Sequence, residues 1–223
     1  MDEDLIHFNR KGGFASIDLD VSSLNRLAKE LTKYPVHAKN ILEDSLRAGA
    51  RVAHRQIPQL TSQVYTISEG MVKDAQQVKV VRRYQHSVVL FGHPLVLSRF
   101  RHGPTDPQSG AHVWVNVLRN GMSYGLPTAI GADGKKKKPF LFRPKAFLGG
   151  AKVPYLIARY TGEPNPRTGK EMLQVFRTVS VPQMVQNPLV QEKLTAAVSE
   201  AVDKKMNREL DDLLSRMKGA VEG

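Results

Sequence analysis

Seven histidines are the first place to look for chemistry in this chain. A zinc site or a metal-assisted base needs them at ligand spacing, as in His-Glu-x-x-His, and no such arrangement occurs. His93, His102 and His112 flank a loop that carries Asp106. Their spacing is too loose for a ligand set, and solvated loop histidines are the better reading. The stretch Gly131-Ala-Asp-Gly-Lys135 has the flavour of a phosphate-binding loop, but that motif needs a glycine five residues before its Gly-Lys pair and a hydroxyl after the lysine. Those positions hold Ala129 and Lys136. Carboxylates for paired acid–base work are scarce in the middle of the chain, where Asp106, Asp133, Glu163 and Glu171 each lie beside Gly or Pro or at a strand edge. Without a cysteine there is no thiol nucleophile and no disulfide, and no Gly-x-Ser-x-Gly elbow is present. The residues nominate no catalytic group, no cofactor and no metal, so a non-enzymatic role is expected.

Charge is the stronger signal. The 223 residues carry a formal net charge of +12. Residues 77–180 hold seventeen Lys and Arg against four Asp and Glu, whereas both flanking segments are balanced. A field of one sign on one part of a fold attracts polyanions: nucleic acid or an acidic protein face. The candidate contacts are Arg99, Arg101, Lys135, Lys136, Lys137, Lys138, Arg143, Lys145 and Lys152, together with Arg82 and Arg83. Phe100, Trp114, Phe140, Phe142 and Phe147 lie among them. On an open sheet such aromatics form a stacking platform for single strands. They also fall where core-facing strand residues belong, and that plainer reading is the stronger one.

The elements that must position these residues follow from pattern. Residues 1–20 read as an arm with at most one short strand. Residues 21–76 are helical: Ser22 or Ser23 caps a short helix with Leu24, Leu27 and Leu31. A longer helix then opens near Pro35, with an apolar stripe of Ala38, Leu42, Leu46, Gly49, Ala53 and Ile57, and Pro58 is expected to stop it. Residues 68–75 suit one further helical turn. Residues 77–181 are strand-rich. The segments 78–84 and 87–91 suggest a hairpin, and His112 to Leu118 alternates with Val113, Val115 and Val117 on one face. Residues 140–142, 154–160 and 172–176 supply later strands, and 101–111 and 119–138 read as loops. The β-branched run Val175, Thr178, Val179, Val181 is limited by Pro182. Asn187 then offers an N-cap and Pro188 the first helical position. The helix over 186–218 carries apolar positions to its end. Its last ones, Leu210, Leu213, Leu214 and Met217, are candidates for a subunit interface. The fold class expected is α+β, a mostly antiparallel central sheet packed by N-terminal helices and a long C-terminal amphipathic helix, in one domain over 1–223. The acidic start and the lack of a membrane-spanning apolar run suggest a soluble chain made in the cytoplasm.

The wording of several segments resembles a known family. Ser180-Val-Pro-Gln-Met-Val185 and the helix after it are similar to the minor tail protein Z, or tail completion, family of long-tailed bacteriophages. So are Leu24-Asn-Arg-Leu-Ala-Lys-Glu-Leu31 through Ala48-Gly-Ala-Arg-Val-Ala53, Pro94-Leu-Val-Leu-Ser-Arg-Phe100, and Arg143-Pro-Lys-Ala-Phe147. The order of the pieces is more specific than any one of them. Residues 131–138 and 161–169 depart from the pattern as local loop expansions.

The resemblance implies a structural virion protein at the head-proximal end of a phage tail, capping the tail tube or joining it to the head connector. It implies a ring of copies around the DNA channel, with the tail terminator, tail tube and head–tail connector proteins as partners and genomic DNA touched without sequence reading. No membrane enters this picture. The rival reading, from charge and aromatics alone, is a sequence-independent nucleic-acid-binding module.

Overall fold

The computed structural model describes residues 13–17, 26–27, 29–32, 34–81, 87–143 and 155–219. The class is α+β, and every paired strand is antiparallel. In chain order the elements are β1 (Gly13–Ile17), α1 (Pro35–Val64), α2 (Glu69–Ala75), β2 (Gln77–Val81), β3 (Ser87–Gly92), β4 (Arg101–Gly103), β5 (Trp114–Asn116) and β6 (Tyr124–Gly125). They continue with β7 (Ala129–Ile130), β8 (Lys136–Lys137), β9 (Phe140–Phe142), β10 (Leu156–Pro164), β11 (Glu171–Val175), α3 (Val181–Val185) and α4 (Pro188–Gly219). The strands are shared among four small sheets, ordered β1-β3-β2, β4-β5-β6, β11-β10-β9 and β7-β8. Contacts divide the chain, expected as one domain, into two compact units interleaved along the sequence.

The helical unit holds the described residues of Gly13–Leu60, Gln76–Gly92 and Pro182–Gly223. Its two long helices approach at Gly49, which faces Val198 and Val202, and each carries a buried row of residues four apart. On α4 the row is Val190, Leu194, Val198, Val202, Met206 and Leu210, all essentially inaccessible to solvent. On α1 it is Ile41, Ser45, Gly49, Ala53 and Ile57, likewise buried. Rows of this spacing are the ridges that interlock in the commonest class of helix packing. Of the expected stripe, Leu46, Gly49, Ala53 and Ile57 are buried, whereas Ala38 and Leu42 are half-exposed and Ser45, outside the stripe, is fully buried. Burial of Ser45 costs little because its hydroxyl donates to the Ile41 carbonyl one turn back, at 2.7 Å. In the sheet of this unit the central strand β3 has Val88, Val89 and Leu90 all buried, so both of its faces are covered.

Pro58 does not end α1, which continues to Val64. Proline removes the N–H that would bond the carbonyl four residues earlier, and here that carbonyl belongs to His54. The Gln76 side-chain amide donates to the His54 oxygen at 2.8 Å. A donor from outside the helix thus offsets the break. We expect Gln76→Leu to lower stability by about 1 kcal/mol, the cost of stripping a part-buried carbonyl of its partner. In a Pro58→Ala background, where the backbone N–H returns, the same change should cost less. A double-mutant cycle by chemical denaturation reads the difference, and strict additivity would refute the pairing.

The strand unit holds Thr61–Ala75 and the described residues of His93–Val181. Val113, Val115 and Val117 point into its core as their alternation predicts. The carbonyls of the last turn of α1 are capped by Arg119, whose backbone N–H donates to Val64 at 2.8 Å and whose Nε donates to Ser62 at 2.6 Å. Trp114 pairs across the sheet with Gly103 on one side and Gly125 on the other. A Cβ at Gly103 would lie 2.6 Å from the indole. Beyond β11 the chain does not run on as one strand to Val181. Instead residues 176–179 bond to the segment at 95–97 through Leu97 to Phe176, Thr178 to Leu95 and Leu95 to Val179. Pro182 then lies in the first turn of α3, where a missing N–H is harmless. Asn187 caps α4 as expected, its Oδ1 accepting the Leu189 N–H at 3.1 Å.

Candidate functional site

Three exposed cations of the strand unit, Lys135, Lys136 and Lys138, lie on or beside the β7–β8 hairpin, and the chain builds that hairpin from within. Gly134 takes a positive φ of 72° at the turn, and Gly131 donates to the Lys135 carbonyl. The turn docks on β10 through the Ala132 N–H to the Thr161 carbonyl at 2.8 Å. Gly162 follows at φ 82°, and any Cβ there would strike the Ala132 nitrogen at 2.4 Å, so only glycine permits this approach.

An ion cluster fixes the hairpin to the sheet. Lys137 Nζ lies 2.8 Å from Asp133 Oδ2 and 2.5 Å from Glu171 Oε1, and its side chain is only 11% exposed. The same Glu171 oxygen accepts the Gly162 N–H at 2.7 Å. Lys137 therefore does not project toward a partner, which corrects its assignment as a contact residue. The hydrogen bond from Lys137, with the Lys135 N–H behind it, holds the Asp133 carboxyl below the usual range. The hydrogen bonds to Asp133 and Glu171 raise Lys137 above its ordinary value.

The signs fix the pH window. A depressed acid contributes stability that is present above its unfolded pKa and lost as pH falls through the folded one. A raised base contributes stability present below its unfolded pKa and lost as pH rises through the folded one. The hairpin should therefore stay clamped from below about pH 3.9 to above about pH 10.4 and loosen outside that window. Amide exchange at Lys135 and Gly131 followed against pH tests this, and loosening near neutrality would contradict it.

The other candidates separate into two groups. Lys135, Lys136 and Lys138 are exposed around the hairpin, and Arg101 is exposed on β4. Arg143 is exposed with its guanidinium over the Tyr155 ring, 4.5 Å from the centroid. Arg99 is half-buried, and its Nη1 donates to the Met71 carbonyl of α2 at 3.1 Å, which makes it structural first. Lys145, Lys152, Arg82, Arg83 and Phe147 lie outside the described residues. Of the proposed interface residues, Leu210 is completely buried within its own chain and is a core residue, because it continues the α4 row. Leu213, Leu214 and Met217 are half-exposed.

Among the aromatics, Phe100 is core. Phe140 and Phe142 are only half-buried, and Tyr160 is 42% exposed. They form one array: Phe140 stacks on Tyr160 at 5.1 Å between centroids and lies 6.0 Å from Phe142. Sequence reasoning named Phe140 and Phe142 for such a platform but missed Tyr160, and the signal for an outward face was present. From 136 to 142 the chain alternates, with Lys137, Pro139 and Leu141 turned inward and Lys136, Lys138, Phe140 and Phe142 outward. Beside it a cleft of about 350 Å³ is lined by Pro104, Pro107, His112, Lys138, Phe140 and neighbours.

The histidines do not converge. The His102 Nδ1 sits 2.8 Å from the Phe100 carbonyl, which can only accept, so that nitrogen carries the proton. The Asp106 Oδ1 accepts the Gln108 N–H in its own turn. Among the described residues no three His, Asp or Glu side chains stand close enough to share a metal ion. No described helix is long and apolar enough to cross a membrane. Compared with known proteins, the chain matches no family model, no curated protein and no solved structure.

Proposed function

We propose that this chain is a structural protein of a bacteriophage virion, a tail completion or neck subunit at the head-proximal end of the tail. In this role it caps the tail tube or joins it to the head connector, as a ring of copies around the DNA channel. Its neighbours are the tail terminator, tail tube and head–tail connector proteins, and it catalyses nothing. The resemblance in the order of the segments suggests the role. The observation that supports it best is the separation of charge. Arg101, Lys135, Lys136, Lys138 and Arg143 are exposed in one unit. The two carboxylates nearest the hairpin, Asp133 and Glu171, are already engaged by Lys137. A surface of that kind holds a polyanion by proximity, without reading sequence.

Cryo-electron microscopy of purified phage particles, with the head–tail junction resolved, tests the reading. A ring whose density fits Trp114 and the Asn187-capped α4 is the expected result. Virions that lack the chain would overturn it. The half-exposed Phe140 and Phe142 and the exposed Tyr160 favour a second reading, a sequence-independent nucleic-acid-binding module.

A further inference from the structure

The geometry points to the outward face of residues 136–142, with Tyr160, as a track for single-stranded nucleic acid. Phosphates would lie on Lys136 and Lys138, and bases on Phe140, Phe142 and Tyr160. The inference needs only this face and stands whether or not the chain belongs to a tail.

Alternation carries the argument. Burial alternates from β8 through residues 138–139 into β9, although the two strands belong to different sheets, and at the extended-chain spacing of about 6.6 Å per outward residue four of them would span roughly 20 Å. Here they read cation, cation, aromatic, aromatic. Inward residues fix the track: Lys137 through its two carboxylates, Pro139 and Leu141 by burial. The lysines therefore project from an anchored backbone, and less freedom is lost when a phosphate is bound. Their immediate acidic neighbours are paired off by Lys137. The nearest others, Asp106 and Glu163, are exposed, and Asp106 is tied into its own turn.

The aromatics select the strand type. Phe140, Phe142 and Tyr160 rise from a sheet, flanked on the same face by Leu173, which is 41% exposed. A ring set in a sheet face reaches a base only when that base is free of its stack, which a duplex does not offer. The adjoining cleft of about 350 Å³ has mixed walls in which Pro104, Pro107 and Phe140 stand with Ser109 and His112, Lys138 is its one charged liner and no carboxylate lines it, and it is roomy enough for a single base. A protein partner would use the apolar positions but has no need of two lysines in line with them. Charge complementarity favours the polyanion.

The test is fluorescence anisotropy of the full chain with a labelled oligothymidylate of about 16 nucleotides and with a mixed-sequence duplex of equal length, over a salt series. We expect the single strand to bind at least about tenfold tighter, each base stack removed counting for about five- to a hundredfold. Phe140→Leu and Tyr160→Leu, which keep apolar bulk, should each weaken the single strand by such a factor and leave the duplex nearly unchanged. Lys138→Gln should reduce the salt slope for the single strand by about 0.7. Native tryptophan emission from Trp114 reports that each variant is folded. Equal affinity for both forms with Phe140→Leu silent would mean bare charge attraction and would overturn the track. Absence of binding to either, or capture of a protein through Leu173 with no nucleic-acid affinity, would overturn it as well. None of these outcomes bears on whether the chain sits in a virion, which particle microscopy decides separately.

Discussion

Leu210→Ala will cost about 2–5 kcal/mol of folding stability, whereas a combined Leu213→Ser, Leu214→Ser, Met217→Ser variant will cost far less. Leu210 ends a row that begins at Val190 and recurs every fourth residue with no solvent exposure, so truncation leaves a cavity that the helix pair can close only partly. The three residues after it are already half in solvent. If copies of the chain associate through the end of α4, the triple variant should shift sedimentation toward the monomer while its unfolding midpoint stays close to that of the parent. Leu210→Ala should do the reverse, lowering the midpoint with little change in association at a concentration where the fold survives. A triple variant that unfolds as readily as Leu210→Ala would place these residues in the core and remove them from any interface.

The contrast shows what could be read before the structure. Local rules held where the partners are local. Asn187 and Pro188 announce a helix start because cap and capped N–H are two residues apart. The valines at 113, 115 and 117 announce a buried face because the strand period is intrinsic to the backbone. The failures involve partners distant in sequence. Pro58 reads as a stop until Gln76, eighteen positions on, supplies a donor to the His54 carbonyl. Lys137 looks like one more exposed lysine until Glu171 arrives from the far side of β10.

The strand region shows the same limit at a larger scale. Composition marks 77–181 as strand-rich, but which strands share a sheet depends on what must be covered. The run Val88, Val89, Leu90 leaves β3 no solvent-facing side, so it needs cover on both faces and belongs with the helices. Residues 136–142, whose burial alternates across β8 and β9 in two different sheets, and the strand around Val113, Val115 and Val117 remain in the other unit. The open face of the first of these is what makes a surface site available. The candidate site was thus half legible: its charge was visible in composition, while its aromatics were masked by a core role that read as the stronger alternative.

Gly49→Leu should be among the most damaging single changes in the helical unit, and Gly49→Ala is the sharper probe. In an exposed helix, alanine for glycine gains about 1 kcal/mol. Here the new Cβ would stand 2.6 Å from Val202 Cγ2 and 3.1 Å from Val198 Cγ1. A helical valine is held in one rotamer, so the methyls cannot swing away, and the helices must part where they approach at Gly49. That separation costs about 1–3 kcal/mol, which exceeds the propensity gain, and leucine at the same place adds three more carbons to be accommodated. The pair Gly49→Ala with Val202→Ala supplies the proof by coupling. Val202→Ala removes the obstructing methyl groups, so the double variant should be more stable than the sum of the singles predicts, by about 1 kcal/mol or more. If Gly49→Ala instead stabilised the protein on its own, the two helices would not meet at that glycine, and the close crossing that organises this unit would have to be abandoned.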